Sequence, residues 1–365
     1  MKCKLLDICE YRKGKIDLDF LSRKNYISTD NMLPDKNGVV EAVSLPNIDK
    51  TQIYKKGDIL ISNIRPYFKK IYYAKENGGC SNDVLVFQAK ENIFSKYLYY
   101  LLSDDKFFSY STATSKGTKM PRGDKKAIMD YEISSIDFIS QQKIAKILSA
   151  LDDKIELNNR INKNLEEQAQ ALFKSWFVDF EPFGGVMPGD WKIYKLSEFL
   201  PVITGKKNAN VACGKGIYPF FSCSQDILWT DDYSFEGNAI LVAGNGEFNV
   251  KCYNGKFEAY QRTYVLIPYN SNYTALLYNA VKYNLGEITS AARGSVIKFI
   301  TKGNLEDFSF AAPKNLEEFK LLKVFNAINK NIANNTSENQ KLAQLRDTLL
   351  SKLMNGEIDV DKVEI

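Results

Sequence analysis

No histidine occurs anywhere in the 365 residues of this chain. That removes the commonest general base, the Ser-His-Asp and Cys-His arrangements, and most metal sites. The six cysteines, at 3, 9, 80, 213, 223 and 252, form no CxxC pair. They read as scattered thiols of a reducing cytoplasm rather than a zinc site or a disulfide framework. Phosphate chemistry has no better support. There is no GxxxxGK[ST] loop, and GNGEFN (244–249) resembles the start of a glycine-rich nucleotide turn but lacks its third glycine. The Asn-Pro-Pro-Tyr/Phe type of methyltransferase motif is absent. Asp-x-Lys triplets occur, at 104, 124 and 152 among others, as chance allows in a charged chain, and none follows a suitably placed Pro-Asp. The sequence therefore predicts no catalytic residue and no metal ligand.

The net charge of +5 permits nucleic-acid binding without arguing for it. No apolar run approaches the ~18–20 residues of a membrane span. The start, MKCKLLDICEYRKGK, lacks the apolar core of a signal peptide. A chain of this length should hold two or more domains.

The elements that would organise such domains come from a repeat. Residues 139–182 run ISQQKIAKILSALDDKIELNNRINKNLEEQAQALFKSWFVDFEP, and a second copy lies 177 residues later without a gap. Positions 148, 151, 155, 158, 162, 165, 169, 172 and 176 alternate spacings of three and four, a heptad seam of the kind that packs one helix along another. Both copies interrupt the seam with asparagine, at Asn158 and Asn162 and at Asn335 and Asn339. A buried seam asparagine is costly unless it meets a polar partner, so it tends to fix register. Antiparallel pairing lets Asn158 face Asn339 and Asn162 face Asn335, each pair of numbers summing to 497. The same register sets Leu148 against Leu349, Ile155 against Leu342, Leu165 against Ile332 and Leu172 against Phe325. Only Arg346 against Leu151 is awkward, and its stem is expected to cover the leucine while its charge reaches water.

The intervening segments also repeat. GDILIS (57–62) and DVLVFQ (83–88) read as strands. SKYLYYLLSDDKFF (95–108) reads as a helix capped by Ser95. A Gly-, Thr- and Lys-containing loop (115–124) and the strand-like YEISSI (131–136) follow. Lys4, Leu5, Gly14 and Lys15 recur at 195, 196, 205 and 206, an offset of 191. Gly57 to Ile61 match Gly237 to Leu241, and Val84 to Phe87 match Tyr264 to Ile267, at 180. From Gly117/Gly294 onward the offset is 177, the value of the helices.

The predicted divisions are a first domain 1–138, a helix 139–182, a second domain 183–314, a helix 315–356 and a tail 357–365. The fold class is α+β: two strand-rich α/β domains in tandem, joined and separated by two long helices in an antiparallel coiled coil with pseudo-twofold symmetry. Parallel helices would force the ends of the second domain about 60 Å apart, whereas compact domains keep their ends close. A dumbbell is expected.

The segments AQALFKSWFVDFEPF (169–183), LRDTLLSKLMNGEIDV (345–360) and QQKIAKILSALDDKIELNNR (141–160), with the two-domain, two-helix duplication, resemble the specificity subunits of Type I restriction–modification systems. The resemblance covers essentially the whole chain, which starts at the first domain without the short leader some members carry. It implies a non-catalytic, cytoplasmic DNA-recognition subunit. Two target-recognition domains would read the halves of a split, asymmetric double-stranded site, about one helical turn apart, and the helix pair would set the spacer. Two methyltransferase subunits would dock on it, carrying S-adenosylmethionine and methylating an adenine in each half after flipping it out. Two motor-nuclease subunits, using ATP and Mg, join where restriction is active. A methylation-only complex is one alternative; a coiled-coil protein-interaction scaffold without DNA readout is another, of a different class. A stand-alone enzyme is the weakest reading.

Base edges and phosphates are met by Arg, Lys, Asn, Gln, Ser and Thr on loops. In the first domain these candidates are Asn63, Arg65, Lys69, Lys70, Asn82, Lys116, Thr118, Lys119 and Arg122. In the second they are Lys206, Lys207, Asn245, Asn249, Arg262, Arg293 and Ser295. Asp83 is expected to be a turn or structural carboxylate. The aromatic residues are expected in the sheet core rather than on a stacking platform.

Overall fold

Strands apolar on both faces need cover on both sides, and each of the two repeats supplies it in the same way. The structure is a computed structural model and describes residues 2–213, 216–290, 292–294 and 297–360. The chain divides into two compact units, Met1–Glu156 with Glu338–Ile365, and Leu157–Ser337.

In the first unit, strands Cys9–Tyr11, Val84–Ala89, Ile59–Ser62 and Ile71–Tyr73 form an antiparallel sheet in that order. Ile59, Ile61, Leu85 and Phe87 pack with Tyr97, Leu98 and Leu102 of the helix Ser95–Ser103. Leu60, Val84 and Val86 point the other way, onto Ile27, Tyr54 and Cys80 of a second four-stranded sheet. In the second unit, strand Phe235–Ala243 lies between Thr263–Leu266 and Val250–Ala259 in a six-stranded sheet. Ile240, Val242, Tyr264 and Leu266 pack with the helix Thr274–Tyr283, and Ala239, Leu241 and Val265 lie in the opposite cluster.

This pattern corrects the alignment of the repeats. Ile59 and Ile61 occupy the helix-facing positions of Ile240 and Val242, and Leu85 and Phe87 those of Tyr264 and Leu266. The true offsets are therefore 181 and 179, not 180. A slip of one residue turns every side chain to the other face of a sheet, and a match by residue type alone does not sense it.

The ends of each repeat are clasped alike. Strand Lys2–Lys4 pairs with Glu132–Ser134, and Trp191–Lys195 with Ser309–Pro313. Leu5 N–H donates to the Tyr131 carbonyl at 2.9 Å, and Leu196 N–H to that of Phe308 at 2.8 Å. Lys4 meets Asp130 at 2.7 Å, and Lys195 meets Asp307 at 3.0 Å.

The predicted helix after Ser95 is broken in two. Asp104 ends the first segment and accepts the Lys106 N–H at 2.9 Å, capping a second helix Asp105–Ala113. Ser95 is not the cap: Phe94 holds that position, and the Ser95 hydroxyl meets the Tyr73 hydroxyl at 3.0 Å.

The long helices run Phe138–Phe173 and Lys320–Met354. The first widens into a π-helical turn at Lys174–Val178, short of the predicted end near Pro182. The second ends where Gly356 takes φ +73°, the left-handed conformation of a C-cap glycine. Within each unit their stretches pack antiparallel. In the first unit Asp152 meets Arg346 at 2.8 Å and Lys154 meets Glu338 at 3.5 Å. In the second, the Asn335 amide donates to the Asn162 carbonyl at 2.8 Å, the register predicted for that pair. Asn158 is buried, at 1% exposure. A cysteine at Asn162 should therefore form a disulfide with one at Asn335 under mild oxidation, and none with one at Ile328, the position of a one-heptad slip. Peptide mapping showing the opposite pairing would reject this register.

Arg346 departs from expectation. Its guanidinium is only 22% exposed and donates to Asp152 Oδ1 at 2.8 Å and to Asp347 Oδ1 at 2.9 Å, while Asp152 Oδ2 accepts the Tyr100 hydroxyl at 2.7 Å. Burial and the carboxylate push the Tyr100 pKa up. The awkward seam position is thus a polar knot joining both long helices to the Ser95–Ser103 helix. Leu350, Leu353 and Met354 of the last helix lie in the same core as Leu148 and Leu98.

Candidate nucleic-acid interface

Three loops meet at one end of the central strands in the first unit: 63–70, 81–83 and 115–124. Each is tied to the next by backbone hydrogen bonds, so the sequence folds into a joined rim rather than three separate loops. Asn63 N–H donates to the Asp83 carbonyl at 2.8 Å, and Gly123 N–H donates to the Asn63 carbonyl at 3.1 Å. Arg65 N–H donates to the Pro121 carbonyl at 2.8 Å. Lys116 and Arg122 exchange both of their backbone hydrogen bonds at 2.8 Å, closing the third loop on itself.

The second unit repeats this wiring bond for bond. Gly244 N–H donates to the Arg262 carbonyl at 2.8 Å, and Ile300 N–H donates to the Gly244 carbonyl at 3.0 Å. Gly246 N–H donates to the Lys298 carbonyl at 3.0 Å. Arg293 and Phe299 exchange bonds of 2.9 and 2.8 Å. Lys206 and Lys207 join this rim from the side, because Gln261 N–H donates to the Lys207 carbonyl at 2.9 Å.

The side chains on this shared frame differ. Equivalent positions carry Ile64 and Asn245, Arg65 and Gly246, Asp83 and Arg262, Lys116 and Arg293, and Arg122 and Phe299. One backbone thus presents two chemically different surfaces.

In the first rim the cations are largely engaged. Arg122 meets Asp83 at 3.0 Å, which gives Asp83 the structural part expected of it. Lys69 meets Asp105 at 3.0 Å, and Lys36, which the sequence did not single out, meets the same carboxylate at 2.8 Å. The Lys70 ammonium donates to the Thr29 carbonyl at 2.7 Å, and burial lowers its pKa. Lys116 meets Asp124 at 2.5 Å. The Lys116 ammonium and the backbone N–H groups of Ala127 and Lys126 hold the Asp124 carboxyl down to about 2. Asn82, Thr118 and Lys119 are exposed.

In the second rim Lys206, Arg262 and Arg293 are exposed and Lys207 and Asn245 are half-buried. The Lys206 ammonium lies over the Phe235 ring at 5.2 Å. Ser295 lies outside the described residues.

Two candidates are corrected by burial. Asn249 is 8% exposed and donates both amide hydrogens to backbone carbonyls, of Cys223 at 2.9 Å and Glu247 at 3.0 Å. It has no donor left for a base edge, so it shapes the loop. Asn63 is 9% exposed and organises the first rim through its backbone. Asp105 and Lys36 come from distant segments, and nothing in local spacing announces their meeting with Lys69.

Among the described residues no cluster of His, Cys, Asp and Glu could hold a metal, and no helix is long and apolar enough to cross a membrane. Phe87, Phe173, Phe220, Phe257 and Phe325 are fully buried core, whereas Tyr67 and Phe68 of the first rim and Phe299 of the second are exposed, against the expectation for the aromatic residues.

Comparison with known proteins fits this duplicated frame. The chain is 36% identical over 178 residues to the Type I restriction enzyme EcoDI specificity subunit of Escherichia coli, covering 48% of this chain and 40% of that one. It is 27% identical over 350 residues to the MjaIX specificity subunit of Methanocaldococcus jannaschii, covering 86% and 80%. The fold matches the crystal structure of a Type I restriction–modification system S subunit from M. genitalium, with TM-score 0.56 and 17% identity over 97% of this chain and 96% of that one. The sequence profile of the Type I restriction modification DNA specificity domain matches twice, at residues 1–167 and 188–344. With both repeats matched, the chain belongs to the family of Type I restriction–modification specificity subunits.

Proposed function

We propose that this chain is the non-catalytic DNA-reading subunit of a Type I methyltransferase or restriction complex. Each unit applies its three-loop rim to one half of a bipartite, asymmetric duplex site. The observation that carries this reading is the identical backbone wiring of the two rims beneath different side chains. A shared frame fixes how a duplex is approached, and differing loop residues select different bases. The long helices set the unread spacer and dock two methyltransferase subunits, which supply S-adenosylmethionine and the adenine-methylating chemistry.

A genome-wide map of N6-methyladenine with and without the gene tests this. One split, asymmetric motif should vanish with the gene, with a methylated adenine in each half. An unchanged map in a host that expresses the complex would count against DNA reading and favour a protein scaffold.

The phosphate part of the interface has its own readout. Lys119 is an exposed rim ammonium group. Replacing it with alanine should weaken duplex binding by the assembled complex on every sequence alike. It should also reduce the slope of log affinity against log salt by about 1. An unchanged slope removes Lys119 from the phosphate contacts.

A further inference from the structure

We infer that Arg65 is the specificity-determining residue of the first rim, reading a guanine edge in the major groove of its half-site; this rests on the DNA-reading function proposed above. Arg65 is held at φ 50° and ψ 66°, in the left-handed region, as the residue that opens the turn Pro66–Phe68. A β-carbon makes that conformation unfavourable. At the equivalent place in the second rim stands Gly246, with φ +73° and open space where a side chain would begin. The first rim therefore keeps an arginine where glycine satisfies the same backbone. Strain retained where it could be relieved points to a use for the side chain. Of the six non-glycine residues with positive φ among the described residues, Arg65 and Lys69 lie in this loop. Asp35 and Lys36, two more of the six, donate their N–H groups to the carbonyls of Phe68 and Lys69.

The second observation is what the side chain lacks. Lys69, Lys70, Lys116 and Arg122 all have acceptors within the protein. The Arg65 Nε is buried with no hydrogen-bond partner. Among the described residues only three buried side-chain polar atoms are in that state, and a second is Asn63 Oδ1, two residues away in the same rim. A buried guanidinium nitrogen without an acceptor is costly; the Nε itself lies too deep for a duplex to reach, so it marks a side chain that the protein leaves unsatisfied rather than the atom that meets the base. Phosphates are served by exposed lysines such as Lys119. A base edge calls instead for a planar fork held in place, and the half-buried, backbone-tied Arg65 offers that. The second rim, with Gly246 in this place, reads its half-site without this contact.

The test uses the whole complex and the methylation map. Arg65→Gly copies the residue of the second rim at a position whose backbone already suits glycine, so folding is preserved. In the first half-site one position that is guanine on one strand should become degenerate, with on the order of 10- to 100-fold lost discrimination there, and the second half should be unchanged. Arg65→Lys keeps the charge and loses the fork, so it should relax the same position; it also carries the test if the glycine variant does not assemble. A motif unchanged in both variants overturns the inference. So does a uniform loss of binding restored by lysine, which is the behaviour of a phosphate contact. If the wild-type complex itself yields no bipartite motif, the parent function fails and this inference falls with it.

Discussion

Asp152→Ala is expected to destabilise the unit formed by Met1–Glu156 and Glu338–Ile365 by about 1.5–3 kcal/mol, because it removes a charge-assisted hydrogen bond from a largely buried Arg346 and leaves it only the more exposed Asp347, 2.9 Å from its Nε. The two side chains are 22% and 25% exposed, too little for water to stand in fully for the partner. The loss extends to the Tyr100 hydroxyl, which donates to the same carboxylate. Denaturant unfolding followed by a probe in the first unit reads this directly. Asp152→Ala combined with Arg346→Met should recover most of the loss, since an apolar side chain of similar length needs no counter-charge. A single variant as stable as the parent would show that the knot contributes no net stability and serves register alone.

The second large effect is expected at Gly294. It has φ +104°, and a β-carbon there would come within 2.2 Å of the Ile297 carbonyl oxygen. Gly294→Ala cannot be absorbed by a side-chain rotation. The loop must open, breaking the Arg293–Phe299 pairing that closes the second rim. DNA binding by the complex should fall on the order of 10- to 100-fold, as one or two contacts are misplaced at ~1–3 kcal/mol each. Gly117, its counterpart in the first unit, has φ +93° but its nearest neighbour is the Met120 carbonyl at 3.5 Å. Gly117→Ala therefore meets backbone strain without a collision, and its effect should be clearly smaller. Equal losses in the two variants, with both proteins folded, would contradict this account of the second rim.

The seam asparagines were legible in the sequence because their constraint is local and repeated. A heptad position is readable from spacing, and two interruptions at the same places in both copies leave few registers, so the Asn162–Asn335 bond could be expected. The Asp152–Arg346–Tyr100 knot was not legible, because Tyr100 comes from another element and heptad spacing is blind to what lies beside the seam. The repeats were visible, but the 180-residue match missed by one residue on each strand. Residue types in apolar runs are interchangeable, while burial depends on which face each one takes. At the rims, residue type pointed to loops that the structure joins by backbone hydrogen bonds, and it included side chains that are buried. Asn63 and Asn249 are polar and in loops, yet they are buried. Arg65 stands out from the other cations only once its conformation, its lack of an acceptor and its glycine counterpart are seen together.

The central claim is that base-reading information resides in the three wired loops of each unit. Grafting segments 63–70, 81–83 and 115–124 in place of 244–249, 260–262 and 292–301 tests it, with N6-methyladenine mapping of the assembled complex as readout. The account predicts that the second half of the methylated motif takes on the base sequence of the first, with the spacer unchanged. A folded, active graft that still methylates the original second half would contradict it and move specificity outside the rims.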